Sequence, residues 1–504
     1  MIVFTLNTKE IRYKGNKDLS LLKYLRDHEG LIAAKDGCSG QATCGACMVE
    51  INGKAKPACV TKMGTLKGAC VITMEGLPEV IKQALGNAFV EKGGVQCGFC
   101  TPGIIMRTKI LLQENPSPTR EEIKKALNLN LCRCTGWVKV IDAIEYGAGL
   151  LRGKSSEKKE LMPGVGEAYP KYNAYRTAIG ERPFTDDLKF DGMLYSALKF
   201  SEHPRARICN IETTEASGLP GIIRIFTAKD IPGEQNIGLI EKDWPLMVGE
   251  GQVTRYIGDV IAGVVAESED IARQAVKKIT IEYEVLTPVT DIKEALTDKI
   301  LVHENRSNTL EICKFSRGDV DEAIGNSAYI SSGYYETQRV EHAFLEKESA
   351  VACPADNGGI ELYSQGQGIY VDRDQVASIL GLPEEKVRVI LVPNGGGFGG
   401  KEDLTVQGHV ALYAWHLNKP VRLTLSREES IRMHPKRHPV FMEITAGCDK
   451  IGKLTALKLR ALGDTGAYAS VGAKVMERVA GHCTGGYYFP VVDLEAKTIY
   501  TNNI

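Results

Sequence analysis

QCGFCTPG (96–103) and LCRCTG (131–136) are the two stretches that decide how this chain is read. They hold Cys97 and Cys100 as C-x-x-C, and Cys132 and Cys134 as C-x-C, with a helix-length spacer between the pairs. Two intervening residues let a backbone fold round a metal, so a C-x-x-C loop can place two thiolates on it. A second pair brought up by the fold closes a four-thiolate site, which suits zinc or an iron–sulfur cluster. The plainer reading, four idle buried thiols, requires two close pairs to arise without a purpose.

The chain has 504 residues, room for three or four domains, and 62 basic against 63 acidic side chains. A net charge of −1 supplies no field for nucleic acid or a membrane surface. The start, MIVFTLNTKEI, alternates like a strand and lacks the basic and apolar regions of a signal peptide. No run approaches the apolar length of a membrane span. A cytoplasmic protein is expected. Nine of its 14 cysteines precede residue 135. In a reducing compartment such clustering points to metal ligands rather than disulfides. Cys209, Cys313, Cys353, Cys448 and Cys483 are scattered and read as ordinary buried thiols.

Residues 1–77 read as mostly β with one helix. IVFTLN and EIRYKG form an expected hairpin turning at Thr8-Lys9, and Leu21, Leu22 and Leu25 have helical spacing. CSGQATCGAC follows, with Cys38, Cys44 and Cys47, then the strand MVEING and Cys59. Gly37, Gly40 and Gly45 permit tight loops whose N–H groups approach a bound group. Cys70 is a spare ligand candidate at the start of the closing strand VITMEG. Residues 78–152 read as helical. PEVIKQALGNAFVEKG carries its apolar side chains at Val80, Ile81, Ala84, Leu85 and Ala88. TPGIIMRTKILLQENP has Thr101 as expected N-cap and Pro102 in the first turn. SPTREEIKKALNLN has Ser117 or Thr119 as cap and acidic residues in its first turn. VIDAIEYGAGLL ends near Leu151.

The loop with three cysteines and a later fourth resembles plant-type ferredoxins, with five residues between Cys38 and Cys44 where that pattern has four. Followed by QCGFCTPG and CRCTGW, it resembles the iron–sulfur region of the molybdenum hydroxylases, the xanthine dehydrogenase and aldehyde oxidase family. The resemblance implies two 2Fe–2S clusters. Cys38, Cys44, Cys47 and Cys59 would hold the distal one, and Cys97, Cys100, Cys132 and Cys134 the one nearer molybdenum. It also implies that Gln96 and Cys134 adjoin the pterin.

Residues 153–175 read as a linker, too short for the flavin domain that xanthine dehydrogenases of eukaryotes carry there. Electrons are therefore expected to leave to another polypeptide, a flavoprotein or other acceptor. Residues 176–300 alternate strands and helices and resemble the family's α/β hammerhead domain. No acid–base pair stands out there, and His203 and His303 read as ordinary residues.

In residues 310–504, the strand KVRVILVP runs into NGGGFGGKE (394–402). The run contains G-x-G-x-x-G, but a dinucleotide site needs a helix directly after it and an acid ending the next strand. Glu428 and Glu429, beyond VRLTLS, lie too far on. The run also nearly matches a phosphate loop, but Glu402 stands where a hydroxyl must bind magnesium. The alternative is again the family, whose molybdopterin motif GGGFGGKE resembles. That implies cofactor contacts at Gly396, Gly397, Phe398 and Gly399. In YSQGQGIY, Gln367 matches the glutamine that orients a ligand of the metal, with Gln365 as its near neighbour. Glu402 and Arg478 match the pair that holds a purine in xanthine-oxidising members; the plainer reading makes them surface partners.

The resemblance implies a further molybdopterin domain beyond KTIYTNNI, so a second polypeptide or a longer chain is expected. The expected fold is multidomain α+β: a β-grasp 2Fe–2S ferredoxin-like domain, an all-α 2Fe–2S helical domain, a hammerhead domain and part of a molybdopterin-binding domain. The expected function is hydroxylation of an N-heterocycle, a purine first, with an aldehyde or nicotinate as alternatives. The cofactors would be two 2Fe–2S clusters and molybdenum–molybdopterin, in plain or cytosine-dinucleotide form. The competing expectation is an electron-transfer subunit without catalysis of its own.

Overall fold

The computed structural model describes residues 1–155 and 164–504. Its first hairpin pairs Ile2–Leu6 with Lys9–Tyr13, and Leu6 faces Lys9. The turn is therefore Asn7-Thr8 rather than Thr8-Lys9. Both residues have positive φ, 47° and 76°, as two-residue hairpin turns require to match the twist of their strands. The sheet orders Lys9–Tyr13, Ile2–Leu6, Cys70–Ile72, Met48–Ile51 and Lys54–Pro57. A helical turn, Leu21–Lys23, runs into a π turn, Tyr24–His28, and buries Leu21 and Leu25 against that sheet.

Four helices follow: Glu79–Glu91, Thr101–Glu114, Arg120–Ala126 and Val138–Leu151. Leu85, Ala88 and Phe89 face their core, but Val80, expected inside, is 67% exposed because the first turn overhangs the bundle. Thr101 is already helical, so the cap position belongs to Cys100 and no side chain caps that helix. At the next helix Thr119, not Ser117, makes the cap, and Glu122 returns the bond to complete a capping box. Residues 156–163, the middle of the expected linker, lie outside the described residues. Its end is ordered: Ala174–Ala178 is a helix, and Tyr175 packs so closely on Gly86 that a Cβ there would lie 2.7 Å from the ring.

A seven-stranded sheet then crosses the expected boundary between the regions 176–300 and 310–504. Its order is Val387–Leu391, Ile360–Ser364, Ser349–Pro354, Val421–Thr424, Leu194–Phe200, Val260–Ala266 and Ile222–Thr227. The join is the parallel pairing of Val421–Leu423 with Leu194–Ser196. Helix Gln407–Leu417 lies on this sheet and carries the fully buried Tyr413. Gly263 makes that approach feasible, since a Cβ there would stand 1.7 Å from the Tyr413 hydroxyl. A five-stranded sheet, ordered Thr309–Arg317, Val491–Tyr500, Leu454–Gly466, Val440–Cys448 and Tyr329–Thr337, completes the fold. Helix Gly472–His482 packs on it.

After Gly400 the helix begins only at Gln407, so the glycine run does not open a helix as a dinucleotide site would. Glu429 is occupied too: it caps at Ser426 and pairs with Arg273 at 3.0 Å. The scattered cysteines are less buried than expected. Cys209 is exposed, and Cys313, Cys353, Cys448 and Cys483 are half-buried, because each sits on a strand or helix face only partly covered. His303 is buried, with Nε2 2.8 Å from the Ala467 carbonyl, and burial pulls its pKa down to about 3. His203 stacks edge-on against Tyr283. Among the described residues no helix is long and apolar enough to cross a membrane.

Candidate cofactor and active site

The loop from Gly37 to Cys47 wraps Cys38, Cys44 and Cys47 inward, and Cys59 arrives from the end of strand Lys54–Pro57. Ser39, Gly40, Ala42 and Gly45 all have positive φ, which turns the loop's N–H groups toward the sulfurs. Thr43 and Cys44 direct theirs at Cys38, Ala46 at Cys44, and Ala42 at Cys59. Such a nest of N–H groups stabilises negative sulfur. The Cys38 thiol meets those of Cys44 and Cys59, and Cys47 meets Cys59. Bonding between neighbouring thiols sends Cys38 and Cys47 down and Cys44 and Cys59 up. Cys70 is exposed and is not among the partners of these four thiols.

The second set pairs in an interleaved way. Cys97 Sγ lies 3.5 Å from Cys134 Sγ, and Cys100 meets Cys132. The Cys100 thiol, together with the Thr135 hydroxyl at 3.1 Å, holds Cys132 down to about 5 against the effect of burial. The N–H groups of Cys134 and Thr135 add to this. Among the described residues no three Cys, His, Asp or Glu side chains close on a single ion. Thiols meeting two by two suit a binuclear cluster, with two thiolates to each iron, better than a mononuclear zinc site.

The two sets adjoin. Leu131 N–H donates to the Cys44 carbonyl at 2.8 Å, and the Asn130 side chain donates to the Gly45 carbonyl at 3.2 Å. Gly45 is required there: a Cβ would sit 2.4 Å from the Leu129 carbonyl oxygen. Arg427 clamps the ferredoxin-like loop to the last region, donating to the Gly37 carbonyl at 2.9 Å and to that of Leu345 at 2.7 Å. Gln96 is exposed beside Cys97, and its side chain bonds no described residue.

The glycine loop is shaped by one of the two candidate glutamines. Gln367 Oε1 accepts from Gly399 N–H at 2.9 Å and Lys401 N–H at 3.3 Å, and Gln367 N–H donates to the Lys401 carbonyl at 2.8 Å. A Cβ on Gly397 would lie 2.3 Å from Gln367 Oε1. Gln365 is buried, and its amide is spent on the carbonyls of Lys347 and Ser349 and on the Lys401 ammonium. The N–H groups of Gly396, Gly397 and Phe398 bond no described residue. Three adjacent free N–H groups make a cradle for an anionic group, which a phosphate or dithiolene fits.

Several residues of this site went unmarked in the sequence. Glu346 is buried beneath the loop and accepts from Gly395 N–H at 2.5 Å. Burial pushes its carboxyl up to about 7, although Lys401 lies 3.7 Å away. His434 is fully buried between Glu341 at 2.8 Å and Glu348 at 2.9 Å. Burial opposes its charge, but the two carboxylates raise its pKa. Glu341 is held down to about 2 despite burial, by His434 and Lys436. The only signal was the charge-rich character of FLEKES and HPKRH, which says nothing about burial.

A cavity of about 550 Å³ opens beside the loop, with Phe398, Gly399 and Glu402 on one wall. Phe398, at φ 57°, is 45% exposed, and Arg133 stands over its ring at 5.5 Å. Helix Gly472–His482 lends Val475 and Val479 to the opposite side. Arg478 is not brought to Glu402. It lies at the edge of that helical stripe and turns back into solvent, donating to the Lys474 carbonyl at 3.1 Å.

The chain matches four domain families in order. These are the 2Fe-2S iron-sulfur cluster binding domain over 4–74 and the [2Fe-2S] binding domain over 73–145. The aldehyde oxidase and xanthine dehydrogenase a/b hammerhead domain follows over 179–287, and the molybdopterin cofactor-binding domain over 302–504. It is 38% identical over 339 residues to the nicotinate dehydrogenase large molybdopterin subunit of Eubacterium barkeri, covering 67% of this chain and 79% of that one. With a probable xanthine dehydrogenase subunit from Bacillus subtilis it shares 38% over 324 residues, 64% of this chain and 43% of that one. The aldehyde oxidoreductase of Megalodesulfovibrio gigas is 32% identical over 528 residues, all of this chain but 58% of its own length. The solved aldehyde oxidoreductase from Desulfovibrio gigas superposes with a TM-score of 0.95 at 29% identity, over all of this chain and 58% of that one. With two 2Fe–2S domains, a hammerhead and a molybdopterin-binding domain in one continuous fold, and no flavin domain among them, the chain belongs to the molybdenum hydroxylase family of xanthine dehydrogenases and aldehyde oxidoreductases.

Proposed function

We propose that this chain serves a hydroxylase of N-heterocycles, a purine first, and delivers the electrons through two 2Fe–2S clusters to an external acceptor. The observation that carries the reading is the shared wall. Phe398 and Glu402 face the cavity, while Arg133, set between Cys132 and Cys134, reaches the same cavity from the cluster side. In this reading Cys38, Cys44, Cys47 and Cys59 hold the distal cluster, and Cys97, Cys100, Cys132 and Cys134 the proximal one. Gln96 and Cys134 adjoin the pterin, and Gly396, Gly397, Phe398 and Gly399 cradle it. When bound, the molybdenum–pterin group supplies two-electron oxidation of a ring carbon and single-electron transfer to the clusters.

The chain's own residues do the rest. Gln367 fixes the loop and leaves its amide N–H free to orient a ligand of the metal. Phe398 packs on the ring and excludes water. Glu402, which has no partner among the described residues, accepts a ring N–H. Arg478 joins this set through a side-chain swing of the kind exposed arginines make on a fast timescale. The chain works in a multi-subunit enzyme, with a molybdopterin-domain polypeptide beside it and a separate flavoprotein that takes the electrons, in the cytoplasm. A nicotinate-type substrate is the second reading, favoured by the similarity to the Eubacterium barkeri subunit.

Metal analysis of the tagged chain from its own host tests this. About four irons with one molybdenum, two irons for each cluster, and a co-purifying polypeptide are expected. Iron without molybdenum or partner would leave electron transfer as its function.

A further inference from the structure

The cavity's charges are unbalanced, and this selects among heterocycles. Glu341 is spent on His434 and Lys436, at 2.8 and 3.1 Å. His342 and His438 also line the cavity, but burial lowers each to about 4, helped by the cationic His434 at His342 and by Arg339 at His438. They are neutral at pH 7. Three charged groups remain available. Arg437 makes no side-chain hydrogen bond or ion pair among the described residues. Arg133 uses only Nε, donating to the His342 carbonyl at 3.0 Å, so both of its terminal nitrogens are free. Glu402 is likewise unpaired. Two open guanidinium groups thus face one open carboxylate, beside the exposed ring of Phe398.

The geometry points to an aromatic N-heterocycle bearing a carboxylate as the substrate class, with Arg437 as the residue that selects the carboxylate. Guanidinium and carboxylate match as planar, two-pronged partners, and the bond is charge-assisted. The ring would lie on Phe398, and a ring that carries an N–H, such as that of orotate, would turn it toward Glu402. Arg437 carries the selection because its guanidinium is uncommitted, whereas Arg133 is fixed between two cluster ligands. This inference rests on the heterocycle reading given above and, within it, favours the nicotinate-type substrate over the purine.

Binding is measured by calorimetry on the protein as purified, with its metals and co-purifying polypeptides. Two matched pairs serve as probes: nicotinate with nicotinamide, and orotate with uracil. In at least one pair the acid is expected to bind about tenfold tighter or more. Arg437→Gln should bring the acid to within about threefold of its neutral partner, with neutral-ligand affinity and metal content unchanged. Arg437→Lys should restore most of the preference. Equal affinities within both pairs, or a preference that survives Arg437→Gln, would overturn the assignment. If uncharged heterocycles are bound and hydroxylated as well as the acids, this inference alone fails. If no heterocycle binds and only aldehydes are oxidised, the heterocycle reading fails with it.

Discussion

Leu131 N–H donates to the carbonyl of Cys44 at 2.8 Å, so the ferredoxin-like cysteine loop is one hydrogen bond and one peptide away from Cys132 of the helical region. The contact fixes the separation of the two thiolate groups through backbone alone. Gly45 permits it, at φ 67° with the Leu129 carbonyl against its missing side chain. Gly45→Ala should therefore destabilise the chain by about 2–4 kcal/mol, from strain and a forced separation of the domains. Urea unfolding followed by circular dichroism measures it; a loss below about 0.5 kcal/mol would show the docking to be looser than described.

Cys59→Ser and Cys134→Ser should each cost one cluster, lowering iron from about four to about two per chain. Cys70→Ser should leave iron unchanged, because Cys70 is exposed and its thiol meets none of the eight. Iron analysis with electron paramagnetic resonance of the reduced protein distinguishes which signal disappears.

Glu346 predicts a pH dependence. Its carboxyl is raised from 4.5 to about 7 by burial, so the folded state binds the proton more tightly than the unfolded chain. Its contribution favours the fold below pH 4.5 and is lost as pH rises toward about 7, on the order of 3 kcal/mol. Stability of Glu346→Gln relative to the parent should rise across that window. A constant difference from pH 4.5 to 8 would mean that Glu346 stays ionised throughout.

His434 has the opposite charge and a raised pKa, held between Glu341 and Glu348. The stabilisation is complete below the ordinary pKa of 6.5 and fades as pH passes the raised value. His434→Gln should cost about 3–5 kcal/mol at pH 6, since it leaves the buried Glu348 without its cation and Glu341 with Lys436 alone. The loss should shrink in alkali, which thermal unfolding at pH 6 and 9 would show.

Gln367→Ala removes the acceptor for two loop N–H groups, while Gln365 stays bonded. Molybdenum content should fall several-fold with iron unchanged. In the loaded enzyme Glu402→Gln should raise KM for purines more than for aldehydes, and Arg478→Gln should do so to a smaller degree. Equal losses on both substrate classes would remove these residues from substrate binding.

The order of domain families was legible, and so was the grouping of eight cysteines into two sets of four that the fold brings together, because sites on close loops leave their spacing in the chain. The glycine run and its glutamine were legible for a similar reason, since a backbone cradle demands small residues in sequence. What stayed hidden came from contacts between distant segments. Val421–Leu423 joins Leu194–Ser196 and carries one sheet across an expected boundary. Glu346, His434 and Arg427 look like surface charges in the sequence; the first two become buried, and Arg427 becomes a half-buried clamp, only once three regions pack together. Arg478 shows the same limit from the other side, because a motif fixes a residue's place on a helix but not where its side chain goes. Local spacing fixed which residues could hold iron and cofactor. Tertiary packing, which sets burial and therefore charge, decided what surrounds them.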